Sequence, residues 1–346
     1  MEQDRRAGPS AGPESAPHPV RWRDTSTFPG SETGPAPPAP ALDLLYIVGH
    51  HKSGATALGA VLAGHPEIFF AGELYRFPTP IWTPGDPTRL CSCGVPILDC
   101  PLWSPVRRDF ERGHSLAELR EGQVRFERWL ALPRTLLARG TTQPALERHA
   151  DAMEALLRTL VSKSGSRVIV ESSLGALRGW IYRLNGPQRI SVKYLHLVRD
   201  GRALLWSESR LKDTPESGGA WVRWPPVVIA RWVGMNLLAM LLCSQDRGRY
   251  LRVRYEDLVT DPRATLQRIA RFSGVDLTDV ITKVEAHVPI PMRHIAAGNR
   301  NRLKGSIVLQ GDFGWTTGLP RVSRAVFWLT AGWLARLYGY RRHPGA

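Results

Sequence analysis

Apolar side chains fall in short, nearly unbroken runs, separated by longer stretches where they recur every three or four positions. The runs are Leu42 to Val48 (LDLLYIV), Ile68 to Ala71, Val168 to Val170, Tyr194 to Val198 and Tyr250 to Val253, each of strand length. The stretches between predict helices at Thr56 to Ala63, Ala150 to Leu160, Arg202 to Leu211, Val228 to Ser244, Arg263 to Ser273 and Val322 to Leu337. Gly64 and Pro66 stop the first of these. Strands alternating with helices predict the α/β class, a single domain with a mostly parallel central sheet flanked by helices on both faces.

Two segments break the pattern. Residues 1–40 hold nine prolines and four glycines with almost no apolar periodicity, so a disordered lead-in is expected there. One domain over 41–340 and a basic tail over 341–346 complete the expected organisation. Phe77 to Pro105, rich in proline and turn residues, reads as a long surface excursion. The longest apolar run, Val227 to Cys243, is interrupted by Arg231 and Asn236 and falls short of a clean membrane span of about 20 residues. No apolar stretch near the N-terminus suits a signal peptide, and a soluble cytoplasmic protein is expected.

Charge sharpens the picture. The chain of 346 residues carries 46 Lys+Arg against 31 Asp+Glu, a formal net charge of +15, and all but six of those cations are arginines. Arginine forks suit anions such as phosphate or sulfate. No zinc-finger, RNA-recognition or homeodomain signature accompanies them, so no nucleic-acid partner is expected. Four cysteines are too few for a disulfide scaffold and favour a reducing compartment. Cys91, Cys93 and Cys100 are close enough to hold zinc with a fourth ligand from elsewhere. Their C-x-C-x6-C spacing lacks the pairing of a usual structural zinc site, which favours a local disulfide or free thiols and no metal.

Candidate chemistry begins in the loop Gly49-His50-His51-Lys52-Ser53-Gly54-Ala55-Thr56, which joins the first predicted strand to the first helix. Backbone N–H groups and the helix dipole make an anion site there. A Walker A loop places lysine after its second glycine, whereas here Lys52 precedes Gly54 and Ala55 follows it, which argues against a nucleoside triphosphatase. In the second motif, YLHLVRDGRALLWS, a strand runs into Arg199 and Asp200 and then a helix carrying Ser207. Arg199 thus emerges at the carboxyl edge of the sheet, where it and the Ser207 hydroxyl can hold one phosphate from two sides. Taken alone, an Arg-Asp pair is more often a helix cap.

HHKSGATAL, LVRDGRALLWS, VRYEDLVTDPRATLQRIARFSGV and HIAAGNRNR, in that order, resemble the sulfotransferase family that uses 3'-phosphoadenosine 5'-phosphosulfate. The likeness spans nearly all of 42–340 and implies a P-loop-like strand-loop-helix. It implies that Lys52, Ser53, Gly54, Ala55, Thr56 and Ala57 cradle the 5'-phosphosulfate and that Arg199 and Ser207 hold the 3'-phosphate. It also implies that Asn299 and Arg302 close over the cofactor. Lys52 and Ala55 stand where the family's R-S-G-T-T loop has arginine and threonine, and Glu171-Ser172-Ser173-Leu174 stands where many relatives end in lysine.

Sulfuryl transfer must deprotonate the acceptor hydroxyl, stabilise the leaving oxygen and align the two, and in principle requires no metal. Lys52 suits the second task. Glu73, at the end of the second predicted strand, is the expected base, and the resemblance places the catalytic carboxylate there; the bland alternative is an ion pair with an arginine. His50 and His51 are competing bases, and His294 is a candidate cofactor neighbour. The acceptor, a small-molecule, carbohydrate or lipid hydroxyl, is expected in an apolar pocket shaped by Phe77 to Pro144 and Trp221 to Pro226. Two other classes compete: a P-loop kinase, which lacks its Walker lysine, and a basic module touching a membrane surface through Arg321 to Arg342. For that last helix, packing on the sheet is the preferred expectation.

Overall fold

A computed structural model describes residues 41–79, 90–133, 143–210 and 224–342. The expected disordered lead-in over 1–40, the Trp221 end of the expected acceptor loop and residues 343–346 of the tail lie outside them. Five strands form the main sheet: β1 (Leu42–Gly49), β2 (Ile68–Gly72), β3 (Val168–Leu174), β4 (Ile190–Val198) and β5 (Tyr250–Arg254). All neighbouring pairs are parallel, in the order β2-β3-β1-β4-β5.

Alternation along β1 explains its near-continuous apolar sequence. Leu42, Leu44, Tyr46 and Val48 enter one core cluster, whereas Leu45 and Ile47 enter another on the opposite face. The first face is covered by α2 (Trp103–Phe110), α4 (Pro144–Ser164), α5 (Ala176–Tyr182) and part of α7 (Pro225–Cys243), with α3 (Leu116–Gly122) beside them. The second is covered by α1 (Ala55–Leu62), α8 (Tyr255–Thr260), α9 (Pro262–Ser273) and α10 (Thr278–Glu285). Start and stop signals are local: Pro144 opens α4 and Gly165, at φ 68, ends it, while the Asp261 carboxylate caps α9 through Ala264 N–H.

A third cluster joins α6 (Gly201–Ser209) and α7 to α12 (Arg321–Leu337), which follows the short α11 (Trp315–Gly318). As preferred from sequence, α12 packs into the domain, with Phe327, Trp328, Ala331, Leu334 and Ala335 buried, but against α6 and α7 more than on the sheet. Its other face leaves Val322, Leu329 and Trp333 exposed. Helix α7 is long and apolar enough to cross a membrane by length and composition, contrary to the shortfall expected, yet Val228, Ile229, Trp232, Ala239 and Leu242 are buried in this domain. The Arg202 guanidinium donates to the carbonyls of Arg342 (2.7 Å) and Arg341 (2.8 Å), tying the start of the basic tail to α6.

The proline-rich stretch from Phe77 is not a surface excursion in its described part. Phe77, Cys91, Ile97, Cys100 and Trp103 are fully buried and belong to the first core cluster. Its turn residues suggest a path over the surface, but its few large side chains point inward, and its polar backbone groups are met by a small hairpin, Leu90 bridging Pro96.

Candidate functional site

Strand order creates the site. The chain leaves β1 toward β2 on one side and leaves β4 toward β5 on the other, so the adjacent carboxyl ends of β1 and β4 form a crevice at a topological switch point. The loop after β1 brings Lys52, Ser53 and Gly54 there, and the end of β4 brings Arg199. Nη1 of Arg199 donates to the Lys52 carbonyl at 3.0 Å, so the two sequence motifs meet as expected.

The loop is shaped to receive an anion. Lys52 and Gly54 both take left-handed backbone, φ 65 and φ 95. At Gly54 a Cβ would lie 2.4 Å from the Tyr255 ring, so glycine is required by space as well as by φ. The first helical bond of α1 runs from Leu58 N–H to the Gly54 carbonyl, and the N–H groups of Ala55, Thr56 and Ala57 precede it at the positive end of the helix. The Ser53 hydroxyl is buried without a hydrogen-bond partner, and among the described residues the Lys52 ammonium pairs with no carboxylate. These donors fit a phosphate-like group.

Arg199 is held from three sides. Its guanidinium lies 4.5 Å from the centre of the Tyr255 ring, and Nη2 donates to the Asp312 carbonyl at 3.2 Å. Its Nε is buried and unpartnered. Asp200 does not pair with Arg199. It caps α6 through Arg202 N–H and forms a buried ion pair with Arg202 at 2.6 Å. The helix-cap alternative thus applies to Asp200 and not to Arg199. Ser207 is partly buried on α6, and its hydroxyl has no hydrogen-bond partner among the described residues. Tyr255 and Asp312 were missed. Tyr255 sits in the quoted VRYEDL stretch, and nothing local reveals that its ring separates Gly54 from Arg199.

The segment after 290 closes over the loop. Asn299 N–H approaches the Thr56 hydroxyl oxygen at 3.4 Å, and the Asn299 side chain accepts from Asn301 N–H. Arg302 donates to the Leu90 carbonyl at 3.1 Å, so it also braces the hairpin. His294 faces not the loop but the cysteines: its Nδ1 is 3.3 Å from Cys100 Sγ.

Glu73 follows β2, its N–H bound to the Ala297 carbonyl at 3.2 Å. Its carboxylate accepts from Arg76 Nε at 3.0 Å, and the Arg76 side chain is 46% exposed. Glu73 is thus an arginine partner, its own side chain mostly buried and Arg76 half exposed. Burial lowers the His50 pKa to about 3, and its Nδ1 is 2.6 Å from the His51 carbonyl, so the ring is neutral. Burial also lowers His51, against the charge of Glu73.

Beside His51 opens a cleft of about 390 Å³, lined among others by Tyr75, Arg120, Gln123, Ser173 and Arg178. It draws on the Phe77 to Pro144 region as expected, and its wall sets charged and polar groups beside apolar surface, with Val124 and Met235 among the lining residues. A buried network lies behind it. Arg178 joins Glu171 (2.8 Å) to Glu127 (2.7 Å), and His149 also binds Glu127. Burial opposes the Glu127 charge, but Arg178 and His149 outweigh it and hold that carboxyl below its ordinary value. Its contribution to stability is therefore present above the unfolded value of 4.5 and lost as pH falls through the lower folded one. Arg178→Ala strands two buried carboxylates and is expected to cost about 3 to 5 kcal/mol. Urea unfolding at neutral pH checks this; an unchanged midpoint would mean that water already reaches the network.

Residues 191–279, which run from β4 through α6 to α10, match the model of the sulfotransferase family. Carbohydrate sulfotransferase 6 of Homo sapiens is 24% identical over 343 residues, covering 90% of this chain and 84% of that protein. Carbohydrate sulfotransferase 3 of Tetronarce californica is 31% identical over 109 residues, covering 28% of this chain and 24% of its own length. The sulfotransferase domain of the Synechococcus PCC 7002 olefin synthase superposes with a TM-score of 0.42 at 20% identity, over 88% of this chain and 98% of that one.

Proposed function

We propose that this chain, a sulfotransferase by the family of its β4 to α10 segment, moves a sulfuryl group from 3'-phosphoadenosine 5'-phosphosulfate to an acceptor hydroxyl held in the cleft beside His51. One observation carries the reading: the loop after β1 gathers unspent donors, namely Lys52, Ser53 and the first N–H groups of α1, beside an arginine at the end of β4.

In this reading the 5'-phosphosulfate lies on the loop, where backbone donors fix it for in-line attack. Lys52 meets the bridging oxygen as charge grows on it. Arg199 and Ser207 take the 3'-phosphate, and Asn299 and Arg302 cover the nucleotide. Glu73, one strand end away, receives the acceptor proton. The acceptor is a hydroxyl compound, and a carbohydrate agrees with the charged and polar side chains Arg120, Gln123 and Arg178 along the cleft and with the names of the two curated relatives. A cytoplasmic setting belongs to the same reading, since it keeps the clustered thiols reduced.

Thermal stabilisation tests the donor directly. Adenosine 3',5'-bisphosphate should raise Tm, ATP with magnesium should not, and the reverse would indicate a kinase. Arg199→Ala should weaken binding of the bisphosphate more than it slows saturated turnover, because the 3'-phosphate is remote from the reacting sulfur. Titration calorimetry comparing adenosine 3',5'-bisphosphate with adenosine 5'-phosphate checks this, and equal wild-type affinity for the two would rule out a 3'-phosphate site.

A further inference from the structure

We propose that Cys91, Cys93, Cys100 and His294 form a structural zinc site that clamps the hairpin at 90–96 to the segment covering the anion loop. The four ligand atoms all lie within 4.8 Å of one another. Cys100 Sγ is 3.6 Å from Cys91 Sγ, 3.8 Å from Cys93 Sγ and 3.3 Å from His294 Nδ1, and Cys91 Sγ is 4.0 Å from the same Nδ1. A tetrahedron with Zn–S of about 2.3 Å and Zn–N of about 2.0 Å has S···S edges of roughly 3.8 Å and S···N edges of roughly 3.5 Å. The four separations are edges of about that size, and the remaining two also lie within 4.8 Å. A disulfide would engage only two of the three sulfurs and leaves the approach of His294 without a purpose.

The backbone is arranged to deliver these atoms. In an extended strand, Cys91 and Cys93 would be spaced along one face at the strand repeat. A tight turn instead folds them together: Gly94 sits at φ 89, its N–H bonds the Cys91 carbonyl at 2.9 Å, and Cys91 N–H bonds the Val95 carbonyl at 2.9 Å. His294 adopts φ 44, an unfavourable conformation for a side-chain-bearing residue. It is held there by Trp103 Nε1–H on its own carbonyl, and its neighbour Ile295 exchanges two hydrogen bonds with Ser92, one of them 2.7 Å long to the hydroxyl. Both chain segments are thus locked in the register that places imidazole over sulfur.

Three thiolates and a neutral imidazole are a soft donor set that suits zinc, and four protein ligands leave no open position for substrate or water. Binding displaces the three thiol protons to solvent and leaves a site of net charge −1. Zinc therefore acts as a clamp rather than as a participant in transfer. The clamped segment runs on through Ala297, whose carbonyl accepts from Glu73 N–H, to Asn299 at Thr56 and Arg302 at Leu90. The consequence for nucleotide binding rests on the sulfotransferase reading; the metal site does not.

Elemental analysis of the full chain, purified without chelator and with zinc in the growth medium, is expected to give about one zinc per chain. X-ray absorption at the zinc edge should show three sulfurs and one nitrogen. Cys93→Ala, at the exposed ligand, should retain the fold by circular dichroism yet lose at least about tenfold in zinc affinity, and His294→Cys should keep zinc with a four-sulfur shell. Metal-free protein with four alkylatable thiols, or a mass showing a disulfide within the cluster, would overturn the proposal. So would His294→Ala that binds zinc as tightly as wild type. None of these readouts depends on sulfuryl transfer, so the metal site and the enzymatic reading can fail separately.

Discussion

Replacing Lys52 by alanine is expected to lower turnover about 100- to 1,000-fold at saturating donor, the range lost when one well-placed electrostatic donor is removed. The fold should survive. Lys52 is only partly buried, its ammonium pairs with no carboxylate among the described residues, and an alanine there would inherit the same left-handed backbone. Lys52→Arg separates charge from geometry: it supplies the arginine of the R-S-G-T-T loop that this loop resembles, and a cation at the bridging oxygen should restore most of the lost rate. Steady-state turnover and Tm on one preparation decide the matter. Near wild-type turnover of Lys52→Ala would remove the lysine from the leaving-group role.

Glu73→Gln is the second large effect, a fall in turnover of about 100- to 10,000-fold with nucleotide affinity nearly unchanged. The ion pair with Arg76 sets what else this substitution removes. Arg76 is 46% exposed while Glu73 is only 16% exposed, so the pair lies between a surface pair, worth about 1 kcal/mol or less, and a buried one, which costs about 3 to 5 kcal/mol to break. The glutamine keeps a hydrogen-bond acceptor for Arg76, so Tm should fall little, and Tm measured on the same preparation separates lost chemistry from unfolding. An active Glu73→Gln would shift the base to His51, which lines the cleft. It would not shift it to His50, which is buried and whose pKa, lowered by that burial to about 3, makes it a poor proton acceptor.

Elements with a strong internal pattern were legible. The five strands were found because a strand covered on both faces needs apolar residues at successive positions, and β1 shows this at Leu44, Leu45, Tyr46, Ile47 and Val48. Helices α2, α3, α5, α8, α10 and α11 went unrecognised because they are short and are held by packing more than by propensity. The stretch from Phe77 was misread for a related reason: turn residues describe the path of the backbone, whereas the burial of Trp103 and Cys100 depends on what lies across from them.

The five strands and the longer helices, the anion-ready loop around Lys52 to Ala57 and the arrival of Arg199 at a strand end are written in the chain itself, because each depends on residues within one or two turns of each other. Which groups meet is settled by folding alone. Tyr255 reaches Gly54, Asp312 reaches Arg199, and His294 crosses to cysteines two hundred positions earlier. Crossover connections in a parallel sheet bring strand ends together regardless of their separation along the chain, so a site at the switch point is assembled from distant segments. No local spacing records that assembly.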